Sequence, residues 1–99
     1  MTGKNWEMRF LDLCGRDYRR FCAVNGMEDR HMKFSFMKVA AEFPLWGLFR
    51  ESETEGGTYP VHYGKTKNEA AKKYTDDLLS SNGVESVEEL ELLLESEGM

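Results

Sequence analysis

The chain has 99 residues, enough for one domain with a modest core, and its 40% hydrophobic content predicts a folded protein rather than a disordered one. Its formal net charge of −5 argues against nucleic acid as a partner if only the sum is considered. The charge is unevenly distributed, however, because residues 83–99 carry −6 and residues 1–82 carry +1. The larger part of the chain is therefore polarised rather than acidic.

Residues 5–22 show apolar side chains at helical spacing, which predicts an amphipathic first helix. The predicted apolar face consists of Trp6, Phe10, Leu13, Cys14 and Phe21. The other side carries Arg9, Arg16 and Arg20, whose separations of seven and four residues place them close together around the helix. These arginines either keep the helix soluble or offer a cationic surface to a partner.

Three strand-like segments follow the helix. The alternation and composition of the sequence place them at Met32–Phe36 with an extension to Val39, at Leu45–Arg50 and at Thr58–Tyr63, with a loop over residues 51–57. Pro60 predicts that the third strand lies at a sheet edge, because proline cannot donate to a strand ladder. Alternation along this strand predicts Tyr59, Val61 and Tyr63 on one face and His62 on the other.

A lysine-rich segment joins the third strand to a closing helix over residues 67–81. Thr66 and Glu69 form a predicted capping box at its start, and Asn82-Gly83 provides its stop. Four lysines surround the helix N-terminus, namely Lys65, Lys67, Lys72 and Lys73. The free amides of a helix N-terminus attract anions, so the segment is either a phosphate-binding surface or a solvated first turn.

The last segment predicts a short, strongly acidic helix that begins with a second capping box at Ser86-Val87-Glu88-Glu89. Its apolar stripe consists of Val87, Leu90, Leu93 and Leu94. The stripe either packs on the domain or awaits a partner. We favour packing, because covering an exposed apolar patch is the commoner use of such a helix.

Several classes of site find no support in the sequence. Cys14 and Cys22 are predicted to be reduced core residues, and with His31 and His62 they match no familiar zinc spacing. No nucleophile elbow, glycine-rich phosphate loop or carboxylate pair at a recognisable spacing is present. We therefore expect no cofactor, no metal and no enzymatic activity. Without a recognisable signal peptide or spanning segment, we expect an intracellular protein of the nucleus or cytoplasm, with no membrane partner.

The predicted order α-β-β-β-α resembles the double-stranded RNA-binding domain over residues 5–82, with residues 83–99 as an acidic helical extension. The best local match is Thr66–Lys73, which is similar to the family's serine, paired lysines, alanine and further lysine. Lys67 falls on the first lysine of the pair and Asn68 on the second. The resemblance implies an α+β fold in which two helices pack on one face of a three-stranded antiparallel sheet.

The resemblance also implies a function, namely binding of double-stranded RNA by its A-form shape and phosphates with little sequence specificity. Lys65, Lys67, Asn68, Lys72 and Lys73 would contact phosphates across the major groove, and Arg9, Arg16 and Arg20 would enter a minor groove. Such a module would belong to an RNA-processing or RNA-silencing protein. Its affinity would fall steeply with salt concentration.

Two alternatives remain open. The interrupted lysine pair, the short Glu42-Phe43-Pro44 connection and the acidic total charge also suit a domain of this fold that binds protein, either another copy of itself or an RNA-processing enzyme. Its contact residues would be Tyr59, Val61 and Tyr63 at the open sheet edge and Leu90, Leu93 and Leu94 in the terminal helix. The other alternative is a small regulatory or adaptor protein with an unrelated α+β fold.

Overall fold

The computed structural model describes residues 5–40, 42 and 44–99, with the Ala40 side chain excepted. Phe43, which the sequence places in the short connection between the first two strands, lies outside the described residues. The elements follow the order α1 (Trp6–Val24), β1 (Met32–Ala40), β2 (Leu45–Ser52), β3 (Thr58–Gly64), α2 (Lys67–Asn82) and α3 (Val87–Ser96). The strands form an antiparallel sheet in the order β1-β2-β3. The predicted α+β fold is confirmed, and Pro60 lies on an edge strand.

The core lies between one face of the sheet, here called the inner face, and the helices. Phe34 and Leu48 are buried on this face, and Phe36 stacks on Phe10 of α1 with ring centroids 5.8 Å apart. The helices contribute buried side chains from Phe10, Leu13, Cys14, Ala70, Ala71 and Leu78. The two alanines are small, which allows the backbone of α2 to approach the sheet closely.

The apolar face predicted for α1 is wrong at its far end. Phe21 is 51% exposed, whereas Cys22 beside it is buried. Phe21 lies at the rim of a cleft of about 310 Å³ that also touches Tyr74 and Leu78 of α2. The Phe21 ring borders this cleft and does not enter the core, whereas Cys22 occupies the buried position in the same turn. Both cysteines are free and buried, as the sequence predicts.

The predicted faces of β3 are also wrong, because a β-bulge interrupts its pairing with β2. His62 pairs with Leu48 and Pro60 pairs with Phe49, which leaves Val61 as an extra residue. One extra residue reverses the alternation of side chains. Tyr59 therefore lies on the inner side of the sheet, whereas Tyr63 lies on the outer face.

The junction between β3 and α2 is tight. A Cβ atom at Gly64 would lie 2.6 Å from the backbone nitrogen of Ala70, so a glycine is required where the strand meets the helix. The predicted cap by Thr66 is confirmed, because Glu69 N–H donates to Thr66 Oγ1 at 3.1 Å. The Glu69 carboxylate also accepts a backbone N–H, at 3.2 Å, but from Lys65, the residue before the cap. These contacts set the position of the lysines relative to the sheet.

The acidic helix α3 packs on the domain. Leu90 and Leu94 are fully buried and belong to the same core as the residues of α1, α2 and the sheet. Ser86 caps α3, with its Oγ accepting from the Glu89 N–H at 3.2 Å. Residues 83–99 are therefore joined to the domain through a shared core. Across the described residues, no helix is both long and apolar enough to cross a membrane.

Candidate nucleic-acid interface

The basic residues predicted from the lysine-rich segment gather at the start of α2, a surface called the lysine end. It consists of Lys65, Lys67, Asn68, Lys72 and Lys73. All are exposed except Lys67, which is half-buried. The structure thus brings these five residues together on one end of the domain, where β3 meets α2.

Lys67 is held in place by two neighbours. Its Nζ lies 3.0 Å from Glu7 Oε1 of α1 and 4.8 Å from the centre of the Trp46 ring on β2. An ammonium group over an aromatic face is attracted by the ring quadrupole. A phosphate that approaches Lys67 would have to compete with the Glu7 carboxylate.

Lys73 also has side-chain partners, whereas Lys65 and Lys72 have no ion-pair partner among the described residues. Lys73 Nζ donates to the Tyr63 carbonyl at 2.9 Å and lies 3.7 Å from Glu69 Oε1. Within the described part of the chain, neither Lys65 nor Lys72 forms an ion pair through its side chain. Two of the four ammonium groups are thus available to an anion without breaking an internal contact.

Lys38 is a further basic residue beside this surface, and it lies outside the lysine-rich motif. It pairs with Trp46 across β1 and β2, and Trp46 pairs in turn with Gly64 at the end of β3. Lys38 is exposed, and because β1 is an edge strand it ends the cross-strand row that contains Trp46, over whose ring the Lys67 ammonium group lies. The alternation of side chains along β1 places Lys38 on the same side of the strand as Phe34 and Phe36. This alternation is the sequence feature that could have identified Lys38 as part of the surface.

The arginines of α1 face α3. Arg9 makes two hydrogen bonds to the Glu91 carboxylate, from Nε to Oε2 at 3.1 Å and from Nη2 to Oε1, and its Nη2 also lies 3.9 Å from Glu88 Oε1. The hydrogen bond from Arg9 lowers the pKa of Glu91, and the same bond raises the pKa of Arg9. This paired geometry is the stronger form of arginine–carboxylate contact.

Arg20 and Arg16 contact the end of the same segment. Arg20 donates to the Glu97 carboxylate through Nε and Nη2, and its Nη1 donates to Asn82 Oδ1 at 2.8 Å. Arg16 Nε donates to the backbone carbonyl of Met99 at 2.6 Å. The structure therefore brings the three arginines together, but against α3 and the residues after it.

Asn82 connects two of the helices. Besides accepting from Arg20, it donates through Nδ2 to Asp17 Oδ1 at 2.8 Å. Burial raises the pKa of Asp17, while the Asn82 hydrogen bond and the Arg20 charge act in the opposite direction. The sequence identified Asn82 only as part of a helix stop, because its partners lie more than sixty residues away in the chain.

The residues predicted for a protein interface do not form one surface. Leu90 and Leu94 are buried, Leu93 and Val61 are half-buried, and Tyr59 and Tyr63 lie on opposite faces of the sheet. The exposed leucine of α3 is Leu92 instead, at 66%.

A different apolar surface lies on the outer face of the sheet. It consists of Met37, Val39, Phe49 and Tyr63, called the outer patch. Met37, Val39 and Tyr63 are each more than 40% exposed, and the Phe49 ring packs edge-on against Tyr63 with centroids 6.1 Å apart. Gly47 beneath them leaves room for the Phe49 ring. Tyr63 of this group was among the predicted contact residues.

Comparison with known proteins does not assign the chain to a family. No family model, no curated protein and no solved structure matches it. The geometry of these surfaces is therefore the basis for assigning a function.

Proposed function

We propose that this protein binds double-stranded RNA through the lysine end, by contacts with phosphates and with little sequence preference. The observation that supports this function is the placement of four ammonium groups around the start of α2, two of them exposed and without an ion pair among residues 5–40, 42 and 44–99. Phosphates across the narrow major groove of A-form RNA are the ligands that such a cluster fits, because base edges there are out of reach.

The lysines contribute to this site unequally. Lys65 and Lys72 contact phosphates without losing a partner, and Asn68 between them supplies a neutral donor. Lys67 and Lys73 first exchange Glu7 and Glu69 for phosphate oxygens. Each phosphate contact with a duplex contributes a slope of about 0.9 in log affinity against log salt, so we expect a total slope between about two and about four.

This number of phosphate contacts supports only modest affinity. A domain of this kind acts best beside other RNA-binding domains, because linked sites gain affinity from effective concentration. The biological setting that we propose is accordingly an RNA-processing or RNA-silencing protein.

The test compares a duplex RNA of about 20 base pairs with the matching DNA duplex over a series of salt concentrations. We expect binding that prefers RNA and weakens with salt. Lys65→Ala/Lys72→Ala should weaken it and reduce the slope by about two, since each lost phosphate contact removes about one unit.

The matched control is Arg19→Ala/Lys33→Ala, which removes the same charge from exposed residues that line a cleft near the start of β1. We expect little change in RNA affinity from this variant. Equal losses from the two double variants, or an affinity that does not depend on salt, would contradict the proposal.

The outer patch favours a second candidate function, the binding of another protein or of a second copy of the chain. Exposed Met37, Val39 and Tyr63 side chains on a helix-free sheet face are the apolar anchors that such contacts use. This surface borders the lysine end at Tyr63, whose backbone carbonyl accepts a hydrogen bond from Lys73, while the apolar side chains lie on the outer face of the sheet.

A further inference from the structure

We infer that the α1 arginine face, formed by Arg9, Arg16 and Arg20, is a second phosphate-binding surface that α3 covers within the same chain. This inference rests on the proposed RNA-binding function and concerns its regulation. In the covered state, the carboxylates of α3 and of Glu97, which directly follows it, occupy the positions that phosphate oxygens would take. RNA gains these contacts only when the carboxylates are exchanged or neutralised.

The contact geometry supports this substitution of carboxylate for phosphate. Arg9 holds Glu91 through two parallel donors, and Arg20 holds Glu97 in the same manner. Arginine presents this pair of donors to carboxylates and phosphates alike. Glu88 lies 3.9 Å from the Arg9 guanidinium and adds a third negative charge to the cover.

The arginines are covered by ionic contacts with the glutamates and not by a segment that can detach. Leu90 and Leu94 are fully buried, so α3 remains in the core when its surface charges change. Neutralising its glutamates would therefore release the arginines without opening the domain. This property allows the idea to be tested without a truncation.

The arginine face and the lysine end both involve the first turn of α1. Glu7 pairs with Lys67 of the lysine end, and Arg9, two residues later, pairs with Glu91 of α3. Side chains two residues apart lie on different sides of a helix, so the two cationic surfaces face different directions from α1. Contacts at the arginine face are therefore an addition to the lysine end and not an extension of it.

The test neutralises the three covering glutamates as Glu88→Gln/Glu91→Gln/Glu97→Gln and measures duplex RNA binding over a salt series. The matched control is Glu85→Gln/Glu89→Gln/Glu95→Gln, which changes the net charge by the same amount on exposed residues of the same segment. Gln at position 89 still supports the cap of α3. Among the described residues, none of these three control glutamates pairs with an arginine.

We expect the covering-residue variant to bind the RNA about tenfold more tightly than the control variant, with a salt slope steeper by about two from two new phosphate contacts. Adding Arg9→Gln/Arg20→Gln should remove this gain. In the wild-type background, the same arginine changes should leave RNA affinity nearly unchanged, because α3 already occupies these side chains.

Equal affinities of the two glutamine variants would overturn the inference while leaving RNA binding at the lysine end intact. A gain that persists after Arg9→Gln/Arg20→Gln would also overturn it, and circular dichroism would show whether loss of α3 explains that gain. Absence of RNA binding by every protein in the series would overturn the proposed function together with this inference.

Discussion

Gly64 controls how closely the lysine end approaches the sheet. It is buried, and a Cβ atom there would lie 2.6 Å from the Ala70 nitrogen and 2.9 Å from the Glu69 Cβ. The first of these neighbours is backbone in the first turns of α2, which cannot move without shifting the helix. The absence of a side chain at Gly64 therefore determines how closely the lysine end lies to the sheet.

We predict that Gly64→Ala lowers the free energy of unfolding by about 1–3 kcal/mol, the usual cost of overpacking. It should also weaken RNA binding, because α2 must move away from β3. The control is Gly15→Ala in α1, where a Cβ meets nothing within 4 Å. This change should raise the free energy of unfolding by about 0.5–1 kcal/mol, since alanine is the better helix former. Urea unfolding measures both, and a Gly64→Ala protein as stable as wild type would contradict the packing described.

Lys67 shows how one residue can serve stability and binding at once. Its ammonium group lies between Glu7 and the Trp46 ring, so it connects α1, α2 and β2. A lysine in a predicted phosphate-binding motif is therefore also a structural contact. For this reason Lys65 and Lys72, whose ammonium groups form no such contact within the described part of the chain, are the better probes of RNA binding.

At the scale of elements, α3 combines a buried apolar stripe with an acidic surface. Leu90 and Leu94 enter the core, while Glu91 and Glu97 contact arginines of α1. The buried leucines dominate the attachment, because partly exposed ion pairs contribute little free energy. The Glu91 and Glu97 carboxylates therefore contribute little to the attachment of α3.

We predict that Leu94→Ala lowers the free energy of unfolding by about 2–5 kcal/mol, because it removes a fully buried side chain and leaves a cavity. Trp6 and Trp46 lie outside α3, so their fluorescence reports on the rest of the domain. The unfolding transition measured by tryptophan fluorescence should coincide with the transition measured by helical circular dichroism, as in a two-state protein. Leu92→Ala, at a 66% exposed position, should change stability by no more than about 0.5 kcal/mol. A separate transition for α3 would contradict its place in the shared core.

At the scale of the whole molecule, charge and apolar surface are on different sides. The helices carry the lysine end and the arginine–glutamate contacts, and the outer face of the sheet carries the outer patch. A monomer that exposes several large apolar side chains on one face has a candidate protein-binding surface.

We predict that, if the outer patch joins two copies, Val39→Lys abolishes association at micromolar concentration and leaves the circular dichroism spectrum unchanged. A lysine on this face would place a charge among apolar side chains of the contact. The control is Leu92→Lys, which adds the same charge at an exposed position on α3. Sedimentation equilibrium distinguishes the outcomes. Dimers that survive Val39→Lys would exclude the outer patch as their interface, and a wild-type monomer would direct the search to other proteins.

Local sequence was sufficient for the order and approximate limits of the elements. Apolar periodicity acts within a few residues, and the caps at Thr66 and Ser86 are made by residues three positions away. The lysine cluster was found for the same reason, because its members are neighbours in the chain and on one end of one helix. These features depend on short-range geometry that every helix and strand shares.

Long-range packing decided the rest. Arg9 meets Glu91 across 82 positions of sequence, and no local pattern specifies that pairing. The bulge at Val61 reversed the faces of β3, and the cleft beside Tyr74 left Phe21 exposed. Register, helix approach and ion-pair partners depend on how distant segments fill one core, so only the tertiary structure could determine them.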